Sequence, residues 1–237
     1  MTRRRWIADE VSGNRAALVG AHTEHLARVL RARVGQEFDV VSDGTVRRAR
    51  IVSIAAERVE FELGEEILVA AGTNITLLLS IFKFDRMEWA IEKCTELGAA
   101  RIVPVIARRT EAHLAAAAAK RVERWHRIAH EASEQSRRAT PPEISQPMKL
   151  KDALALPGGT RIVLAESEQA VMLRDVLQSH PAGGEVVLAF GPEGGWVEDE
   201  LETFRGAGWT AGSLGSTILR AETAAIAAMA VVVAELQ

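Results

Sequence analysis

The chain has 237 residues, of which 48% are hydrophobic and 26% charged, with a formal net charge of −3. That apolar content can bury a real core, and the net charge is too low for a disordered chain. No stretch reaches the roughly 18 apolar residues that a membrane helix needs; the opening MTRRRWIADE has charge but no apolar signal core, so a cytoplasmic protein is expected. Cys94 is the single cysteine, which excludes an internal disulfide and a cysteine-based zinc site. The six histidines show no convincing ligand spacing, and no metal is expected. Charge is unevenly spread: 11 basic and 11 acidic residues over 1–72, 14 against 9 over 73–151, and 4 against 12 over 152–237. The middle third is therefore the basic one, and 24 of the 29 basic residues are arginine, the better fork for phosphate.

In chain order, Thr23 to Arg33 reads as a short helix, with Leu26, Val29 and Leu30 on one face and Gly35 beyond its end. Glu37 to Val41 and Thr45 to Ile54 flank Asp43-Gly44, a pair that accepts the positive φ of a hairpin turn. Arg58 to Leu63 alternates as another strand. Short strands with polar turns point to a small barrel or sandwich over residues 1–72. From 73 to 237 the pattern becomes α/β. Asn74 to Phe82, Arg101 to Ile106, Arg161 to Ala165, Glu185 to Phe190 and Trp209 to Leu214 read as strands. Arg86 to Leu97, Ala115 to Ser136, Gln169 to Leu177, Glu198 to Arg205 and Arg220 to Leu236 read as helices. Continuous apolar strands alternating with helices predict a mainly parallel, two-sided sheet. Pro104 weakens its strand or puts it at an edge.

Two loops carry the chemical signal. GPEGG (Gly191 to Gly195) follows a buried strand, where ligands of open α/β sheets bind. It matches neither common nucleotide fingerprint, and Glu193 would repel phosphate but suit ribose hydroxyls or a cation. The bland alternative is a plain turn. SLGSTILRAETAA (Ser213 to Ala225) follows the next strand. Arg220 opposes the dipole of the helix it starts, and Glu222 comes two residues later. That helix is apolar nearly all round, so it lies in the core or against a second subunit. HEASEQSRR (His130 to Arg138) would by itself be a solvated, salt-bridged face. Cys94, on an apolar helix face, is not a nucleophile.

Together with HLARVLRARVG (His25 to Gly35), KFDRMEWAIEKCTELGAARIVPV (Lys83 to Val105) and EASEQSRRATPPEI (Glu131 to Ile144), the blocks LAFGPEGG and SLGSTILRAETAA resemble the RsmE-type 16S rRNA uridine-N3 methyltransferases of the SPOUT superfamily. The resemblance runs nearly end to end. It implies a PUA-like RNA-binding β-barrel (1–72), then a trefoil-knotted α/β methyltransferase domain (73–237), a homodimer, S-adenosylmethionine as methyl donor and the small ribosomal subunit's rRNA as substrate. Cofactor contacts would come from Leu164, Ala165, Glu166, Gly191, Glu193, Gly194, Gly195, Leu214, Gly215, Ile218 and Leu219. Arg220 is the first choice to stabilise charge on the uracil carbonyls and Arg138 the second, with Glu222 orienting Arg220 or taking a proton. Arg3, Arg4, Arg5, Arg28, Arg31 and Arg33 would dock RNA. The chain departs from the family at Arg137, Val197, Thr217 and Ala221; family members usually carry arginine at the position of Thr217, in the catalytic loop. Two rivals follow: an RNA-binding assembly factor without catalysis, and a small-molecule enzyme using Glu193 on a ribose.

Overall fold

The computed structural model describes residues 5–68, 74–179 and 184–236. Arg3, Arg4 and the expected boundary at Gly72 lie outside them. Among the described residues no helix is long and apolar enough to cross a membrane. Contacts divide the chain into two units, each with its own core.

The first unit holds six strands: β1 (Arg5–Ile7), β2 (Glu10–Ser12), β3 (Arg15–Val19), β4 (Glu37–Ser42), β5 (Thr45–Ile54) and β6 (Arg58–Glu66), in the order β1-β4-β5-β6-β3-β2. Asp43 and Gly44 turn the β4–β5 hairpin with φ of 50° and 75°, as their sequence requires. The corner after β1 curls the sheet round. Ala8 N donates to Val41 O on β4 at 2.9 Å, and Asp9 N donates to Ala17 O on β3 at 3.0 Å. Trp6, Leu18, Val40, Ile51, Val59 and Phe61 fill the interior. The expected helix at Thr23 to Arg33 is shorter. It comprises α1 (Ala21–Glu24) and one wide π-type turn, His25–Val29. Only Leu26 of its apolar face is buried; Val29 and Leu30 are 64% and 47% exposed. Without a core to face, helical spacing does not sustain a helix.

Residues 133–140 also belong to this unit by contact, whereas a division at 72/73 puts them in the second. The tie is polar and buried. Arg5 Nη1 donates to the Arg137 carbonyl, and Ile7 N donates to the fully buried Glu134 carboxylate at 3.3 Å. Arg137 holds this turn with a φ of 60°.

The second unit is a parallel sheet with helices on both faces. Its strands are β7 (Ile75–Ser80), β8 (Arg101–Ile106), β9 (Glu143–Ile144), β10 (Met148–Lys149), β11 (Thr160–Leu164), β12 (Val186–Phe190) and β13 (Thr210–Gly212). The order is β10-β8-β7-β12-β11-β13, with β9 also on β8. Its helices are α2 (Phe84–Glu96), α3 (Ala112–Ala118), α4 (Val122–Gln135), α5 (Leu150–Leu154), α6 (Leu173–Gln178), α7 (Glu198–Gly206) and α8 (Ala221–Leu236). Alternate residues of β12 feed two cores. Val186, Leu188 and Phe190 meet α2, α6 and α8, while Val187 and Ala189 meet α5 and α7. This is why the strands read as unbroken apolar runs.

Three expectations are corrected here. The helix at Ala115 to Ser136 is two helices, broken by a 3-10 turn at Ala119–Arg121. Pro104 sits in an interior strand. Even-numbered residues of β8 face β9 and β10, since Ala100 O and Ile102 O accept from Glu143 N and Ser145 N. Pro104 therefore points into the gap between those two short strands, where no N–H is needed. The helix α6 begins at Leu173, not Gln169, because the chain before it runs alongside β13. Ser213 N donates to Val171 O at 2.9 Å, and Leu173 N donates to Ser213 O at 2.8 Å.

Candidate functional site

The strand register sets the site. Leu164, Phe190 and Gly212 are aligned partners at the carboxyl ends of β11, β12 and β13. The loops that leave these three ends enclose one cavity of about 630 Å³. Every residue expected to touch a cofactor lines it: Leu164, Ala165 and Glu166 from the first loop, Gly191, Glu193, Gly194 and Gly195 from the second, Leu214, Gly215, Ile218 and Leu219 from the third. Arg220 also lines it and is exposed.

Local chemistry shapes each loop. In the first, Glu168 Oε1 accepts from Ala170 N at 2.8 Å and Val171 N at 3.0 Å. The Val171 amide, then that of Ala170, holds the Glu168 carboxyl below the usual carboxylate range. In the second, a Cβ on Gly191 would lie 3.3 Å from Gly195 Cα, closer than ordinary packing allows. Gly195 has a φ of 69°, in the region that favours glycine. Trp196 Nε1 donates to Leu164 O at 3.1 Å, fixing the second loop to the first. In the third, Ser213 Oγ accepts from Gly215 N at 3.2 Å.

Behind the second loop, α7 starts at Val197, whose side chain has no acceptor to cap it. Glu200 compensates. Its buried carboxylate accepts from Val197 N at 3.1 Å and from Arg108 N at 2.8 Å. The neighbouring Arg109 donates through Nη1 to the Gly194 carbonyl. One carboxylate therefore fastens the end of β8 to GPEGG.

The remaining expected residues fall differently. Glu222 is buried at the start of α8, and its partner is Arg86, not Arg220. Arg86 Nε lies 3.7 Å from Glu222 Oε1, and its Nη1 lies 4.0 Å from Glu193 Oε1. Arg86 and Arg109 line the cavity and were not singled out from the sequence. Their signal, charge opposite to that of the loop carboxylates, appears only in three dimensions. Arg138 is on the 133–140 segment of the first unit and is not among the cavity's lining residues. It is half-buried, and desolvation lowers its guanidinium pKa from the ordinary value. Arg5 is 8% exposed and bound to the Arg137 carbonyl, so it presents no open guanidinium to RNA. Arg28, Arg31 and Arg33 are exposed beside the exposed Val29, Leu30 and Val34. Thr217 is exposed on the cavity's third loop.

A family described as "RNA methyltransferase domain" matches residues 70–233, and one described as "RNA methyltransferase PUA domain" matches residues 20–64. Ribosomal RNA small subunit methyltransferase E of Synechocystis is 33% identical over 220 residues, covering 90% of this chain and 71% of the relative. The Neisseria gonorrhoeae enzyme of that name, solved with S-adenosyl methionine, superposes with a TM-score of 0.84 at 32% identity, covering 97% and 96% of the two chains. A putative methyltransferase from Legionella pneumophila, solved with bound cofactor SAM, has a TM-score of 0.85 at 28% identity, covering 99% and 98%. The expected fold class, a PUA-like barrel before a SPOUT-type α/β domain, agrees with these likenesses.

Proposed function

This chain belongs to the ribosomal RNA small subunit methyltransferase E family, and from that premise we propose that it methylates N3 of a uridine in 16S rRNA, using S-adenosylmethionine. The observation that carries the reading is the convergence of all eleven expected cofactor residues on one cavity at the strand ends. The residues fit that cofactor, which bears no phosphate. The walls offer backbone groups to a base, Gly191 packs tightly against Gly195, and Glu193 suits a positively charged ligand. When bound, the cofactor supplies an electrophilic methyl group on a sulfonium.

The residues then have distinct work. N3 of uracil gains the methyl carbon and gives up its proton, while negative charge spreads to the flanking carbonyl oxygens. Arg220, exposed on the cavity rim, is placed to stabilise that charge. Glu222 Oε2 is buried without a hydrogen-bond partner and is a carboxylate oxygen able to accept the proton. Arg138 is assigned to a substrate phosphate. The uridine must be unpaired or flipped, because N3 lies on its pairing edge. Arg28, Arg31 and Arg33 are assigned to RNA docking. We further propose that the strand-end loops form the trefoil knot, that the domains meet near residue 72, and that the protein works as a cytoplasmic homodimer.

The test is transfer of labelled methyl to unmethylated small subunits and to free rRNA, read by nucleoside mass spectrometry. 3-Methyluridine in either is the expected product. RNA binding without transfer would instead favour a non-catalytic assembly factor and direct attention to Thr217.

A further inference from the structure

We propose that Arg86 is a positioning residue that holds the GPEGG loop in register with the start of α8 by setting one guanidinium between Glu193 and Glu222. This rests on reading the cavity as the S-adenosylmethionine site. The two carboxylates come from different elements: Glu193 from the loop after β12, Glu222 from the first turn of α8. Arg86 addresses them through different atoms, Nη1 at 4.0 Å and Nε at 3.7 Å. Among the described residues neither carboxylate has another cation within ion-pair distance.

The Glu222 side chain is 4% exposed, and a buried carboxylate without a compensating charge is costly. Arg86 supplies that charge. Its backbone is fixed from beneath, since Met87, Ala90 and Ile91 of α2 share the core with Ala225, Ala228 and Met229 of α8. Phe84 packs edge-on against Trp125 at 6.1 Å. A rigid helix therefore aims a planar fork at the GPEGG loop and at the first turn of α8, which directly follows the third cavity loop. Lysine, a single point charge, cannot serve both carboxylates in this way.

The experiment is titration calorimetry of the full-length protein with S-adenosylmethionine, with thermal unfolding measured alongside. The variants are Arg86→Gln, Arg86→Lys, Glu222→Gln and the double variant Arg86→Gln/Glu222→Gln. Wild-type protein binds; Arg86→Gln weakens binding by about ten- to a hundredfold, the order expected for a buried charge left unpaired. Adding Glu222→Gln then brings no further loss and recovers part of the affinity and melting temperature, because no unpaired carboxylate remains. Strictly additive losses overturn the proposal, since coupled residues do not add. Should Arg86→Gln fail to fold, Arg86→Lys decides: affinity between wild type and that of a site lacking the pair supports the fork, and wild-type affinity overturns it. Binding by wild type with Arg86→Gln unchanged overturns this inference alone. No binding by wild type overturns the cofactor reading and this inference with it.

Discussion

At the scale of single residues, the cavity separates groups that hold shape from a group placed to act on the base. Gly191 and Gly195 hold shape, because a Cβ at the first would crowd the loop backbone at 3.3 Å and the second has a positive φ. Arg220 is exposed and has no ion-pair partner among the described residues, so its removal strands no buried charge. Arg220→Ala should therefore keep S-adenosylmethionine affinity near wild type and lower the turnover rate by about 10²–10³, the cost of losing one donor to a developing oxyanion. Equal transfer rates in single-turnover assays would remove Arg220 from the mechanism. Cys94 makes the opposite case. Its place on the apolar face of α2 was legible in the sequence, and burial pushes the thiol up to about 12. At pH 8 the thiolate population is negligible, so a thiol reagent should leave the native protein unmodified and label it fully in denaturant. Labelling of native protein at the rate of free cysteine would contradict the burial.

At the scale of elements, the loop behind GPEGG shows how one substitution is absorbed. The family resemblance implies serine or threonine at the position of Val197, and valine cannot cap a helix N-terminus. Glu200 takes on more than the usual reciprocal contact, serving both Val197 N and Arg108 N. Val197→Ser should add the missing cap and stabilise by about 0.5–1 kcal/mol, a rise of roughly 1–4 °C in melting temperature. Glu200→Ala should cost about 2–4 kcal/mol, because two amides lose a charged acceptor. Calorimetric scans of both variants check this, and a destabilised Val197→Ser would mean that the valine's packing outweighs its missing oxygen. What the sequence revealed about elements follows the same physics. The β4–β5 hairpin was legible from Asp43-Gly44 and the buried strands from their apolar runs, since those signals are local. The break at Ala119–Arg121 was not, because an alanine run carries no side-chain spacing to mark it. The late start of α6 was not, because it depends on pairing with Ser213, forty residues away. The Arg86 contacts were hidden for the same reason, since helix α2 looks ordinary until the fold sets it beside Glu193 and Glu222.

At the scale of the whole molecule, a net charge of −3 gives a poor guide to the partner. The acidic excess lies in residues 152–237, which include the cavity loops. Two groups of basic residues in the first unit differ in setting. Arg48, Arg50 and Arg58 are paired with Asp39, Glu37, Glu10 and Glu60. Arg28, Arg31 and Arg33 cluster on one short exposed segment, where among the described residues only Arg28 has an ion pair, the exposed one to Glu24 at 2.6 Å. An exposed pair of that kind is worth little and yields readily to phosphate. If this segment is where RNA docks, the affinity must depend on salt through counterion release from the phosphates these guanidiniums replace. Replacing all three arginines by glutamine should weaken rRNA binding and make the slope of log K against log salt shallower by about 2–3, close to one unit per lost contact. S-adenosylmethionine affinity should stay unchanged, because none of the three lines the cavity. Filter binding across a salt series measures the slope, and calorimetry measures the cofactor. An unaltered slope in the triple variant would move the docking surface elsewhere.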